Sequence, residues 1–88
     1  MGNNTVISCQ LSFYPLGTEQ IRDNVNEVLK IIEESGLEKE TNEVGTTIFG
    51  EASEVYSLLE KITVEMDEKD LQYALSINIS NSCGCRRF

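Results

Sequence analysis

The sequence predicts an α+β fold in which four strands and two helices follow one another in the order βαββαβ. Two observations predict this order. Apolar and polar residues alternate in the first and last segments, whereas apolar residues recur every three or four positions in two longer segments between them. Two short segments containing β-branched residues separate the two helical ones. Right-handed crossovers fold this order into a four-stranded antiparallel sheet with two helices on one face, the ferredoxin-like sandwich.

The first strand is predicted over residues 5–14. Its alternation gives one mainly apolar face, made of Ile7, Cys9, Leu11 and Phe13, and a second face, made of Val6, Ser8, Gln10, Ser12 and Tyr14. Pro15 cannot donate to a sheet ladder and Gly17 tolerates a turn, so we expect the strand to stop before them. Thr18 is then placed to cap the first helix through its hydroxyl.

The first helix and the hairpin after it are predicted from spacing and turn residues. The helical stripe consists of Ile21, Val25, Val28, Leu29 and Ile32. Gly36 suits a left-handed cap at the end of this helix. Residues 37–41 and 44–49 form a predicted hairpin around Asn42 and Glu43, and its second strand stops at Gly50.

The second helix and the last strand complete the domain. The helix is predicted over residues 51–66, with Val55, Leu58, Leu59, Ile62 and Met66 along one stripe. A charged turn at residues 67–70 precedes a strand whose Leu71, Tyr73, Leu75, Ile77 and Ile79 share one face. We therefore expect a single ferredoxin-like domain over residues 1–80 and a flexible tail over residues 81–88 that contains cysteine and arginine.

Composition narrows the partners that the chain can have. Fifteen acidic and seven basic side chains give the 88 residues a net charge of −8, which argues against binding to nucleic acid or to anionic membrane surfaces. No apolar stretch approaches the ~20 residues of a membrane span, so we expect a cytoplasmic protein without membrane insertion. A chain this small gains buried apolar surface by self-association, which favours a homo-oligomer.

The residues that usually carry catalysis or bind metals are scarce. The chain has no histidine, which excludes imidazole bases and Cys-His nucleophile pairs. Cys83 and Cys85 could bind a soft metal or form a strained redox bridge, but two thiolates alone are half of a zinc site. The acidic pairs at residues 33–34 and 67–68 fit solvated surface. We therefore predict no catalytic residue, no metal site and no cofactor.

Three segments together resemble a known family. They are residues 10–17 (QLSFYPLG), residues 34–37 (ESGL) and residues 45–50 (GTTIFG). The sequence resembles the small, ferredoxin-like thiamine-binding proteins that were once grouped as a domain of unknown function. The resemblance implies dimers or tetramers built through the sheets, and binding of thiamine or its hydroxymethylpyrimidine moiety without turnover. Phe49, where family members often carry an acidic residue, and the Cys83/Cys85 tail depart from the family pattern.

A pocket for thiamine needs an aromatic face, hydroxyl or amide groups and negative potential nearby. Gln10, Ser12 and Tyr14 alternate onto one side of the first strand, and Thr46 lies on the strand expected beside it. We predict that these four residues bind the ligand.

Two alternatives remain open at this point. The same polar and aromatic side chains could pack against another subunit's sheet, in which case the protein is an oligomeric regulatory or scaffold module without a small ligand. An enzyme that acts on a thiamine precursor is the third possibility, although no group of residues supports it.

Overall fold

The computed structural model of the protein describes residues 5–42 and 45–81. Its elements are β1 (Val6–Leu16), α1 (Ile21–Ser35), β2 (Glu38–Asn42), β3 (Gly45–Glu51), α2 (Ala52–Glu68) and β4 (Gln72–Ser80). The strands form one antiparallel sheet in the order β2-β3-β1-β4. The fold is therefore the predicted ferredoxin-like α+β sandwich.

The two faces of the sheet differ because only one of them packs against the helices. We call this side the covered face and the other side the open face. Cys9 and Leu11 of β1 pair with Ile48 and Thr46 of β3, and these residues lie on the covered face. Together with Ile32 and Ile62 of the helices, the apolar members form one buried core. Burial of this apolar surface is the main force that stabilises the domain.

Strand β1 is longer than predicted. It passes through Pro15 and pairs with β4 as far as Leu16, whose partner is Gln72. The described pairing of β1 with β3 ends earlier, at Leu11 and Thr46. Beyond that point β4 is the only strand among residues 5–42 and 45–81 that pairs with β1. The donor that proline lacks can therefore face the side on which no described strand pairs.

The ends of α1 are formed differently from one another. Thr18 does not cap the helix, because α1 begins at Ile21 and the Thr18 hydroxyl instead accepts a hydrogen bond of 2.9 Å from the Gln20 amide. The C-terminal prediction is confirmed: Gly36 adopts a left-handed conformation with φ of 77°.

Element boundaries in the second half of the chain shift by one or two residues. Strand β3 continues through Gly50 to Glu51, and α2 begins at the next residue. The Ala52 amide donates a 2.8 Å hydrogen bond to the Thr5 carbonyl, which ties the start of α2 to the start of β1. Helix α2 runs two residues past the predicted end, to Glu68. No helix among the described residues is both long and apolar enough to span a membrane.

Two of the predicted segments lie partly or wholly outside the described residues. The Asn42-Glu43 turn is described only up to Asn42, whose side-chain oxygen accepts a 3.2 Å hydrogen bond from the Gly45 amide. The predicted tail, with its two cysteines and two arginines, lies outside the described residues.

Candidate functional site

A cavity of about 250 Å³ lies between α1 and the end of the sheet where β1 extends past its pairing with β3. We call it the strand-end cavity. Its apolar lining consists of Leu11, Phe13, Val25, Val28, Leu29 and Ile32, and its other lining residues are Ser12, Tyr14, Thr41, Asn42, Gly45 and Thr46. An apolar pocket with a few converging polar groups is the usual form of a small-molecule site.

The aromatic wall of the cavity is held from the neighbouring strand. Phe13 stacks on Tyr73 of β4, with ring centroids 5.6 Å apart and ring planes inclined by 29°. Offset stacking of this kind restricts both rings. Phe13 therefore offers a positioned apolar surface to whatever enters the cavity.

Gly45, at the start of β3, lies close to β1 beside the cavity. A Cβ atom at Gly45 would meet the Leu11 carbonyl oxygen and would lie 2.8 Å from the Ser12 Oγ. The Gly45 backbone has φ of 152°, a conformation that glycine adopts and other residues rarely do. Glycine is therefore needed here for the two strands to approach.

Two threonine hydroxyls form the polar centre of the lining. Thr41 and Thr46 pair across β2 and β3, and their Oγ1 atoms are 3.4 Å apart. Hydroxyl hydrogen bonds are usually about 2.7–2.8 Å long, so this contact is weak. Thr46 is only 4% exposed. Its hydroxyl can therefore bond a ligand group without first giving up a strong internal partner.

Three of the four predicted ligand residues line this cavity. Ser12, Tyr14 and Thr46 do so, whereas Gln10 lies opposite Thr47 and does not. In the register of β1 and β3, Leu11 pairs with Thr46 and Gln10 pairs with Thr47. Thr46 therefore lies on the covered face with Leu11, and Thr47 lies on the open face with Gln10. Successive strand residues point to opposite faces, so this single step in register decides which threonine faces α1.

Sequence reasoning missed most of the lining. The sequence pattern indicates only a hairpin at Thr41 and Asn42, and only the core stripe of α1 at Val25 and Leu29, yet all four residues line the cavity. One available signal was the threonine at each side of the hairpin, Thr41 and Thr46, since a closed hairpin sets them opposite each other. Phe49, by contrast, lies opposite Ser8 and does not line the cavity.

The described lining of the strand-end cavity offers hydroxyl, amide and apolar groups. None of the described residues that line it is charged. Burial raises the pKa of the Cys9 thiol above its ordinary value, so this cysteine stays protonated at neutral pH and is a poor nucleophile. No group of three or more potential metal ligands occurs within residues 5–42 and 45–81.

A larger depression, of about 350 Å³, lies between the two helices. Its rim includes Ser53, Ser57 and Lys61, all of which are exposed. The depression is open to solvent, and its lining includes the charged residues Glu54 and Lys61. The strand-end cavity is the better candidate because its polar group is buried among apolar walls.

The chain matches one protein family by sequence and several solved structures by fold. The sequence profile of the YKOF-related family matches residues 6–86. A Thermotoga maritima protein, whose name assigns it provisionally to thiamine biosynthesis or salvage, is 17% identical and has a TM-score of 0.76; the match covers 85% of this chain and 82% of that one. No curated protein matches.

Two further solved structures are similar. A domain of unknown function from Bacillus cereus is 18% identical, with a TM-score of 0.76 and coverage of 88% of this chain and 76% of that one. A hypothetical protein from Methanocaldococcus jannascii is 20% identical, with a TM-score of 0.72 and coverage of 86% and 79%. Identities this low show a shared fold, while the profile match spans nearly the whole chain. The chain belongs to the YKOF-related family.

Proposed function

We propose that this protein binds thiamine or its hydroxymethylpyrimidine moiety in the strand-end cavity, without chemical turnover, and carries, buffers or delivers it in the cytoplasm. The observation that carries the proposal is the nearly buried Thr46 hydroxyl, set beside the Thr41 hydroxyl in an apolar cavity. The structural similarity to a protein named for thiamine biosynthesis or salvage supports a thiamine-related role at a coarse level.

The size and lining of the cavity favour the pyrimidine part of the vitamin. An aminopyrimidine is flat and uncharged, and its ring nitrogens and amino group can bond hydroxyl groups such as those of Thr41 and Thr46. Phe13 and Leu29 are among the apolar lining residues that can contact the flat ring. A cavity of about 250 Å³ with a neutral lining suits this ring better than the cationic thiazolium.

The thiazolium ring of thiamine has a different position open to it. Tyr14 lines the cavity while remaining 52% exposed, so its ring lies where the cavity meets solvent. A cation over a tyrosine face is stabilised by the ring quadrupole. The net charge of −8 also favours a cationic ligand over phosphate esters.

Binding without turnover is supported by the residues near the ligand. The chain has no histidine, and the Cys9 thiol is buried and protonated. The lining described above supplies hydroxyl and amide groups but no carboxylate or amine to act as a general acid or base.

The test is calorimetric titration of the protein with thiamine, with hydroxymethylpyrimidine and with the thiazole fragment. Thr46→Val keeps the shape of the side chain and removes the hydroxyl, so we expect affinity for the pyrimidine to fall roughly tenfold, the effect of one hydrogen bond. Thr47→Val is the matched control, because Thr47 is the next residue on the same strand and lies on the open face. Equal affinities for wild type and Thr46→Val would count against this site.

We also propose that the protein is a homodimer or homotetramer in which open faces of the sheet pack together. Two exposed apolar side chains of β1 that do not line the strand-end cavity support this: Val6 and Leu16. Apolar groups on a face without helices are typical of an interface between subunits. If this packing is the whole function, the protein is a regulatory or scaffold module that takes no small ligand.

A substitution at Leu16 tests association separately from ligand binding, because Leu16 is exposed on the open face and does not line the strand-end cavity. We expect Leu16→Lys to lower the molar mass in sedimentation equilibrium and to leave pyrimidine binding by the remaining species measurable. An oligomer whose thermal unfolding is unchanged by excess thiamine or pyrimidine would favour the scaffold function, since a ligand that binds only the native state must raise its stability.

A further inference from the structure

One wall of the strand-end cavity is supported by a residue outside the cavity. Phe13 lines the cavity, and its ring stacks on the ring of Tyr73, with the two centroids 5.6 Å apart. The described lining contains neither Tyr73 nor any other residue of β4. In the sheet order β2-β3-β1-β4, β4 lies on the side of β1 away from β3. Seen from the cavity, Tyr73 therefore lies behind Phe13.

The register of β1 and β4 explains how Tyr73 reaches Phe13. Phe13 pairs directly with Leu75, and Tyr73 pairs with Pro15. Residues two positions apart share a face of a strand, so Tyr73 and Phe13 are diagonal neighbours on the covered face. Diagonal neighbours in an antiparallel pair are about 7–8 Å apart, a distance that aromatic side chains can bridge. Both rings are partly buried and pack against the core.

Phe13 is less enclosed than the residues that precede it on the same face of β1. Cys9 and Leu11 are 0% and 2% exposed, whereas Phe13 is only partly buried. The described pairing of β1 with β3 ends at Leu11, before Phe13. A phenylalanine side chain has several staggered rotamers. Contact with a second ring from β4 restricts them, because aromatic pairs favour particular offsets and angles.

We propose that Tyr73 is a positioning residue for the flat ring bound in the strand-end cavity. It acts through Phe13: the stack holds the Phe13 ring in one orientation before the ligand enters, so binding does not have to order it. Immobilising a side chain on binding lowers affinity, and a wall that is already ordered avoids that loss. This inference rests on the proposed function, because it concerns the same cavity and the same pyrimidine ligand.

The proposed role belongs to the ring of Tyr73 rather than to its hydroxyl. Stacking involves the ring faces, which phenylalanine also has. Tyr73→Phe should therefore keep the affinity for hydroxymethylpyrimidine within about twofold of wild type. Tyr73→Leu removes the stack and should lower this affinity roughly threefold to tenfold, the range expected of one aromatic pair.

The first experiment is calorimetric titration of the full chain with hydroxymethylpyrimidine, in a double-mutant cycle of Phe13→Leu and Tyr73→Leu. If Tyr73 acts through Phe13, Tyr73→Leu should have no further effect on affinity once residue 13 is leucine. A general loss of stability would instead weaken binding equally in both backgrounds. Tyr56→Leu is the matched control, because Tyr56 is 52% exposed on α2 and does not line the cavity. It should bind as wild type does.

The second experiment measures the order of the Phe13 ring without ligand. NMR relaxation of labelled Phe13 ring carbons should show a restricted ring in wild type and in Tyr73→Phe. The same ring should be more mobile on the ps–ns timescale in Tyr73→Leu. Equal ring mobility in wild type and Tyr73→Leu would overturn the inference even if the affinity falls.

Folding of each variant is checked by circular dichroism and thermal unfolding. If Tyr73→Leu does not fold, Tyr73→Ile replaces it, because β-branched residues suit strands. Wild-type affinity in a folded variant without the stack, or additive effects in the cycle, would also overturn the inference. If Thr46→Val still weakens binding in that case, the proposed function stands without it. If wild type binds neither thiamine nor the pyrimidine, the proposed function fails and the inference fails with it.

Discussion

The covered and open faces of the sheet are built from alternate residues of the same strands, yet they serve different purposes. On the covered face Cys9 and Ile48 are fully buried beneath the helices. On the open face their neighbours Gln10 and Thr47 are only partly buried. The covered face therefore contributes the buried core that stabilises the fold, whereas the open face carries the side chains that we propose for assembly. The strand-end cavity has lining residues from both faces, at the end of β1 that extends past its described pairing with β3.

The effect of a substitution in a strand therefore depends on whether the side chain lies on the covered or the open face of the sheet. A change on the covered face should alter the free energy of unfolding, whereas a change on the open face should alter association. The following predictions test that separation.

The largest effect is expected at the centre of the covered face. Ile48→Ala should lower the free energy of unfolding by about 2–5 kcal/mol, because it removes buried methyl groups and leaves a cavity. Thr47→Ala, one position along β3 on the open face, should cost less than about 1 kcal/mol. Urea denaturation measures both. Similar losses for the two variants would show that the faces do not differ in this way.

A smaller loss is expected where the strands approach at the cavity. Gly36→Ala meets no neighbouring atom within 4 Å, so it should cost only the backbone penalty of a left-handed residue, roughly 1–2 kcal/mol. Gly45→Ala should cost about 2–3 kcal/mol, because its Cβ also meets the Leu11 carbonyl. The comparison is again made by urea denaturation. Equal losses would mean that β3 shifts freely away from β1.

The covered face should also make stability depend on pH at alkaline values. Burial raises the pKa of the Cys9 thiol, so the folded state holds this proton to a higher pH than the unfolded state does. The stabilisation is complete below the ordinary thiol pKa and is lost as pH rises through the folded-state pKa. Wild type should therefore lose more stability than Cys9→Ala between neutral and alkaline pH, measured in reductant. Parallel pH profiles would contradict this.

The smallest effect is expected at the rim of the covered face. The Lys39 ammonium lies 2.9 Å from a carboxylate oxygen of Glu33, which is well exposed. Lys39→Ala should cost less than about 1 kcal/mol, and a double-mutant cycle with Glu33→Ala isolates the pair. Its coupling should shrink in high salt. The Lys69–Glu27 pair, at 3.6 Å, is the control and should couple more weakly still.

The element order and the division of β1 into two faces could be predicted from the sequence because both follow from short-range spacing. Alternation placed Cys9 and Leu11 together on one side, and the glycine after α1 indicated where the helix ends. These patterns involve residues within a few positions of one another. Local sterics and the need to bury one face are enough to specify them.

The candidate site could be predicted only in part, because it depends on contacts between distant segments. Ser12 and Tyr14 were identified from the end of the first strand. That Thr46 faces α1 and that Thr41 lies beside it follow from the register of β3 against β1 and β2. Gln10 does not line the cavity because it lies within the pairing of β1 with β3, whereas Ser12 and Tyr14 lie beyond the described end of that pairing. A shift of one residue would exchange Thr46 for Thr47, and no local pattern distinguishes the two.

The sequence by itself determined the βαββαβ order, the apolar stripes and the acidic charge of this protein, since each depends on residue type and near neighbours. Only the tertiary structure decided where the described pairing of β1 with β3 ends and which side chains line the cavity. It also decided how much of β4 is buried. Ile77 and Ile79 continue the apolar stripe of the last strand, yet they remain exposed because burial requires a helix above them. Coverage is a property of the packed domain, set by where α1 and α2 end over the sheet.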